Sequence, residues 1–528
     1  MEGFSGSIKN SSASKKSQSY LDDLRRTRTE GSVQLRKIKR IDRANLQRMK
    51  AYGTVIDGEG ERGCVEIDSQ VNAERKGVAF SNQSIIEHGH MLYSDNSEVF
   101  MVGLVGCRAL LARIKNPPIE AFVETGFVPR IIQMLLFDDF PTCQYEVAWI
   151  MTNIACAPVK YARFLHEAIP NLIKVWSTSK HDKVRYQVLW ALSNLSADVD
   201  ETGELLMQGG LLDPILHAMG MVCQGSRSTV AASPSLYTLG HIATIVVNLT
   251  RCKTFEQNRE LYSVLIVILA ELLQSPDIDC VTKICSGLRH IADAPQTVDL
   301  MLENGIAGRL RELVEGTSSR DASLRVLAVM LQSPQRLHIK LLLASQFGNL
   351  LPLVVTELGV AACTIQPDAK DASKIDAMCV DLLKAVQNVI LADTKYSRHL
   401  LAGGIAESLC ACVRRGHNEI MKYAVLVMAC IVLGSPPEAA IGFAAQTAAV
   451  LVPALPLLQE LDATVYALLA LQHLLEGLLD CPRETAAAIS CLLPVLHNLV
   501  NSDNMRVAEV AEKVEELLEK AVQRELVR

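Results

Sequence analysis

The sequence predicts an all-α chain of about ten stacked helical repeats, preceded by a flexible basic arm. Three observations lead there. Leu, Ala, Val and Ile dominate a composition that is 49% apolar but only 5% aromatic, which favours helix on helix over an aromatic-rich sheet sandwich. Apolar residues recur at i, i+3, i+4 and i+7 in several separate stretches, the mark of one buried helical face. Those stretches return at a period near 42 residues, as in chains whose units stack side by side.

The repeat is clearest in "YEVAWIMTNIA" (145–155) and "YQVLWALSNLS" (186–196). Val147, Ile150, Met151 and Ile154 form one apolar stripe, while Trp149 and Asn153, four apart, share a different face. Val188, Ala191, Leu192 and Leu195 repeat the stripe, with Trp190 and Asn194 again displaced from it. The same template fits Ile242/Ile245/Val246/Leu249, Ile284/Gly287/Leu288/Ile291 and Leu382/Ala385/Val386/Val389. Tracking the slot of Asn153 through these and weaker copies gives Arg108, Asn153, Asn194, Asn248, His290, Met330, Asn388, Cys430, Leu471 and Lys513. The spacing places the chain in the armadillo or HEAT class. Two long intervals suggest insertions near 221–235 and 359–373. "VETGFVPRIIQML" and "MQGGLLDPILHAM" pair a Gly with a following Pro, as at a break before a new helix, and "LAGGIAESLCACV" keeps the Gly alone. Each unit leaves apolar faces that only a neighbour can cover, so the units should form one continuous superhelix. The final "MRVAEVAEKVEELLEKAVQREL" reads as an amphipathic capping helix.

Fifteen Cys is an odd number at irregular spacings. Many, including Cys107, Cys156, Cys285 and Cys430, lie within apolar helical patterns, so they read as buried thiols in a reducing, intracellular compartment. Cys410 with Cys412, and His88 with His90, lack further ligands at metal-site spacing, so no metal or cofactor is expected. The N-terminus has no apolar core of signal-peptide length, and no stretch reads as a membrane span. Neither a phosphate loop nor an evident Ser/His/Asp set marks an enzyme.

Charge divides the chain. Residues 21–50 carry ten basic and four acidic side chains, a net +6 within a chain of −6, so the remainder carries −12. Such an arm can be a solvated tail or can bind RNA or a membrane surface. Helical apolar spacing at Val33, Leu35, Ile38, Ile41 and Leu46 adds a third option, folding onto an acidic receptor.

The Trp–Asn pairs also admit two readings. As core aromatics with ordinary surface amides they carry no function. As exposed indoles on parallel helices they form shelves for Lys and Arg stems, and the amides can clamp a peptide backbone without reading its sequence. Asp198, one turn beyond Asn194, then either meets a ligand lysine or caps a helix.

These segments resemble importin alpha, the armadillo adaptor that carries basic nuclear localisation signals. "NPPIEAFVETGFVPRIIQML", "YEVAWIMTNIA" and "YQVLWALSNLSAD" look like that family's second and third repeats, and "LRRTRTEGSVQLRKIKR" looks like its importin-beta-binding arm. The resemblance implies a right-handed superhelical armadillo-repeat solenoid over residues 98–528, a basic arm over 1–70 and a linker over 71–97. It implies a non-enzymatic adaptor shuttling between cytoplasm and nucleus, with importin beta, basic-signal cargo and a recycling exportin as partners, and neither nucleic acid nor membrane. By resemblance Trp149, Asn153, Gln187, Trp190, Asn194, Asp198 and Asn248 bind the signal peptide. Arg25, Arg26, Arg28, Arg36, Lys37, Lys39 and Arg40 bind importin beta, and Arg48 and Lys50 form a weak self-inhibitory cluster. Three departures stand out. Thr244 occupies a place where the family usually has Trp, and the later slots read Val326 with Met330 and Lys384 with Asn388. A cation at Lys384 opposes a basic ligand, so signals with one basic cluster are the expected cargo. The alternative is an armadillo scaffold for cytoskeletal or signalling partners.

Overall fold

The computed structural model describes residues 82–113, 117–198, 201–221, 236–252, 259–292, 294–316, 319–343, 350–364, 369–436, 439–440, 442–478 and 493–527. Among them there are helices, turns and bends, and no strand. The basic arm, with its importin-beta-binding and self-inhibitory candidates, lies outside the described residues. Two compact units result, Met1–Thr254 and Phe255–Arg528.

In the first unit, Asn82–Met91 packs on Ser97–Leu111, and three-helix repeats follow. The first comprises Ile119–Glu124, Val128–Met134 and Pro141–Ala155. In the next, Val159–Ala162 runs through a 3-10 turn at Arg163–Ala168 into Ile169–Thr178 and Asp182–Leu195. Glu201–Gln208, Leu212–Ala218 and Leu236–Leu249 complete the set. Local chemistry explains the boundaries. The Asn96 side chain accepts from the backbone N–H groups of Glu98 and Val99, capping its helix. Gly126 and Gly210 stand at φ 78° and 75° just before the second helices of their repeats, a left-handed backbone that costs glycine least. Pro129 sits in the first turn of Val128–Met134, where no N–H is needed.

The second unit continues the pattern. Its long third helices, Ile278–Ile291, Arg320–Met330, Ala369–Ala392, Asn418–Leu433, Leu461–Leu478 and Met505–Val527, each pack against the next. All ten slot positions, from Arg108 to Lys513, fall on the long last helix of a unit. The stripes beside the slots are buried throughout: Val147, Ile150, Met151 and Ile154, then Val188, Ala191, Leu192 and Leu195, and their counterparts at 242–249, 284–291 and 382–389. This is the armadillo arrangement that the period implies.

Helix Asn82–Met91 lies inside the stretch read as a linker, because Ile85 and Leu92 bury themselves against the following helix. The extra residues near 359–373 lengthen helices, Leu350–Cys363 and the 24-residue Ala369–Ala392, because helical apolar spacing continues through Leu358, Ala361 and Ala362. The other insertion falls mainly on 222–235, outside the described residues.

Truncating a fully buried stripe residue, Ile150→Ala, is expected to destabilise the first unit by about 2–5 kcal/mol. Urea unfolding followed by circular dichroism measures it, and a loss under about 1 kcal/mol would mean that this stripe is not the core.

Candidate functional site

The two Trp–Asn pairs stand on Pro141–Ala155 and Asp182–Leu195, third helices in direct contact. Asn194 Nδ2 donates to the Thr152 carbonyl at 3.2 Å and to Cys156 Sγ at 2.8 Å. Asn248 Nδ2 donates to Ser196 Oγ at 2.9 Å. In the second unit Asn388 Nδ2 donates to the Leu331 and Ser333 carbonyls, both at 2.8 Å. Cys156, Ser196 and Leu331 are the C-caps of the preceding third helices. Each of these amides therefore ties its helix to the end of the one before. Asn194 and Asn248 stay half-exposed, while Asn153 is buried.

The indoles do not form open shelves. Trp149 is 6% exposed and Trp190 7%, and the coverage has named sources. Tyr145 and Tyr186, four residues earlier on the same helices, pack edge-on against them at 5.9 Å. From the preceding repeat, the Arg108 guanidinium lies 4.5 Å from the Trp149 ring centroid. Arg108 is itself 3% exposed, and its Nε donates to Glu146 Oε2 at 2.8 Å. From the following repeat, the His241 ring lies 5.2 Å from Trp190 at a 38° tilt. A cation from the chain thus holds, over Trp149, the place proposed for a ligand cation.

Two polar candidates also sit differently from the sequence expectation. Gln187 is 1% exposed, and its Nε2 donates to Thr152 Oγ1 at 2.7 Å, which ties it inside the junction. Asp198 is partly buried; its Oδ2 accepts from Thr202 Oγ1 at 3.0 Å and lies 3.5 Å from Arg163 Nε. It thus stands at the start of Glu201–Gln208 already beside a cation. Thr244 donates within its own helix to the Gly240 carbonyl at 2.9 Å. The missed signals were visible in the sequence: a Tyr one turn before each Trp, and an Arg in the first slot.

In the second unit Val326 and Met330 are fully buried. His88 Nδ1 donates to the Ser84 carbonyl at 2.7 Å, and the His90 ring packs edge-on against Phe127. Among the described residues, no three His, Cys, Asp or Glu side chains group to hold a metal ion, and no helix is long and apolar enough to cross a membrane. Cys107 and Cys285 are buried, and Cys156 and Cys430 are half-buried. Burial pushes the Cys107 thiol up to about 12, which holds it protonated and unreactive at neutral pH.

The buried Arg108–Glu146 pair makes a clear prediction. Glu146→Ala removes the carboxylate partner of a buried cation and should cost about 3–5 kcal/mol, whereas Arg108→Met with Glu146→Leu should cost far less. Urea unfolding of both variants tests it, and equal losses would contradict the pairing.

No protein-family model matches the chain. Importin subunit alpha-2 of Arabidopsis thaliana is 27% identical over 300 residues, covering 56% of this chain and 52% of that protein. Importin subunit alpha-1b of Oryza sativa subsp. japonica is 31% identical over 227 residues, covering 42% and 40%. The probable importin subunit alpha-A of Dictyostelium discoideum is 28% identical over 235 residues, covering 42% of each. The chain thus spans about half the length of the curated relatives it matches. Among solved structures, an engineered protein aligns over 83% of this chain and 99% of its own, with a TM-score of 0.63 and 18% identity. A chain from a structure concerned with cadherin and beta-catenin aligns over 82% and 86%, with a TM-score of 0.59 and 14% identity. At these identities the two structures speak to the fold. Sequence and fold together make this chain a divergent relative of the importin alpha subunits, built as an all-α armadillo-repeat solenoid.

Proposed function

We propose that the chain is a nuclear import adaptor. It takes basic nuclear localisation signals on the inner face of the first unit and importin beta on its N-terminal arm, Arg25 to Arg40. The observation that carries this reading is the Trp–Asn pair repeated in one register on two contacting helices, in a relative of the importin alpha subunits. Asn194 and Asn248 present half-exposed amides along that face, suited to a peptide backbone. A lysine-bearing strand reaches Trp149 by displacing Arg108 and Trp190 by displacing His241, so affinity is lower than open indoles would provide. The arm's short cluster, Arg48 and Lys50, is interrupted by Met49, which favours weak self-inhibition. Shuttling, the recycling exportin and the division into arm, linker and solenoid belong to the same proposal.

The covered indoles favour the second reading, a scaffold for other partners. Against catalysis stands the burial of its nearest semblances. Ser333 Oγ lies 2.7 Å from His338 Nδ1, and His338 Nε2 lies 2.6 Å from Asp299 Oδ1, but Ser333 and His338 are sealed inside. This set joins neighbouring repeats and presents no nucleophile to solvent.

Calorimetric titration with a peptide bearing one basic cluster tests the proposal. Trp190→Ala and Asp198→Lys should each weaken binding about tenfold or more, and binding unmoved by either would remove the groove. Deleting residues 1–70 should change that affinity only slightly. A gain of about tenfold would refute weak self-inhibition.

A further inference from the structure

The third helices of the second unit carry a cluster of cations. Arg289 clasps Asp381 with Nε and Nη2 at 2.7–3.1 Å, and Arg325 reaches the same carboxylate at 3.3 Å. Asp381 cannot neutralise both. Three residues along the same helix, Lys384 Nζ lies 4.9 Å from the Tyr423 ring centroid, and Lys422 Nζ lies 5.6 Å from it on the other approach. Lys422 pairs with exposed Glu460 at 3.2 Å, whereas Lys384 makes no ion pair with a described residue. The four cations stand on Ile278–Ile291, Arg320–Met330, Ala369–Ala392 and Asn418–Leu433, consecutive helices in contact. Around them, Gln387, Asn388, Leu426 and Cys430 are half-exposed, and Leu391 is exposed. Asp279, Asp321 and Glu419 stand in the first turns of their helices, and Glu419 acts on Lys422.

We infer that this cluster is a second docking surface, for an extended acidic peptide segment of a partner protein. Four cations against three carboxylates, Asp381, Glu460 and Glu419, leave a local positive excess on a chain of net −6, which suits a few spaced carboxylates. Lys384 and Arg325 offer charge-assisted bonds to them, the Asn388 and Gln387 oxygens accept backbone N–H groups, and Leu391 and Leu426 receive apolar residues between the charges. A nucleic acid fits less well, because its continuous phosphates would meet the acidic remainder of the body. The chain's own basic arm is repelled. The inference is independent of the basic-peptide reading, which concerns the first unit.

Fluorescence polarisation of the full chain tests it, using a short labelled peptide with glutamate at every third position between alanine and leucine. Its lysine counterpart and a short oligothymidylate serve as competitors. The glutamate peptide should bind, weaken with added salt, and lose about tenfold or more with Lys384→Glu and less with Lys384→Gln. Basic-peptide affinity should not fall in either variant, and the thermal midpoint should report that they fold. No binding, equal binding by a folded Lys384→Glu, or displacement by the oligothymidylate would overturn the inference. Loss of basic-peptide binding by the native chain would overturn only the import reading.

Discussion

An amphipathic third helix cannot hide its apolar stripe by itself, and everything else in this chain follows from how the stripe is covered. Residues such as Val147, Ile150, Met151 and Ile154 are fully enclosed, each stabilising by about 1.5–3 kcal/mol relative to exposure. The third helix that carries them packs on the third helices both before and after it, so stability here is a nearest-neighbour property. Once the stripes interlock, the opposite faces of successive helices are set in register without further instruction. The slots then recur at fixed places within each unit, whatever residues fill them.

That separation of scaffold from surface lets one fold carry different chemistry along its length. In the first unit the slots hold Arg108, Asn153, Asn194 and Asn248, and the adjoining positions hold two indoles, so the junctions are closed by cation–π contact and by hydrogen bonds from side-chain amides. In the second unit they hold His290, Met330, Asn388, Cys430, Leu471 and Lys513, and arginines and lysines reach the surface instead. The Asn device persists at Asn388, where its two carbonyl partners are those of a helix end. Asn194, Asn248 and Asn388 therefore serve the scaffold first, by bonding to the end of the previous third helix. Any ligand role is added to that duty.

The scaffold was legible because its signal is periodic. Apolar residues at helical spacing, a Gly before a Pro and a return near 42 residues identify the ten third helices, including those where the slot holds Met330 or Leu471. The insertion near 359–373 was legible as extra length, whereas its form, the extended helices Leu350–Cys363 and Ala369–Ala392, was not. The state of the site was less legible. Placing Trp149 away from its own helix's stripe says only that it avoids that stripe; Arg108, 41 residues earlier by sequence number, supplies its cover. Gln187 and Asp198 likewise met partners, Thr152 and Arg163, from the preceding repeat. Contacts across a junction depend on three-dimensional register, which periodicity implies but does not itemise.

The register of one third helix on the next is therefore the central claim, and a single bond can report it. Asn194 Nδ2 lies 2.8 Å from Cys156 Sγ, so an Asn194→Cys variant places a second thiol beside a native one. Mild oxidation followed by peptide mass spectrometry should find a bridge between Cys156 and the introduced cysteine, formed in the folded chain and absent after denaturation in the reduced state. Recovery of both thiols free, or pairing of the introduced cysteine elsewhere, would contradict the register and with it the alignment of the slots.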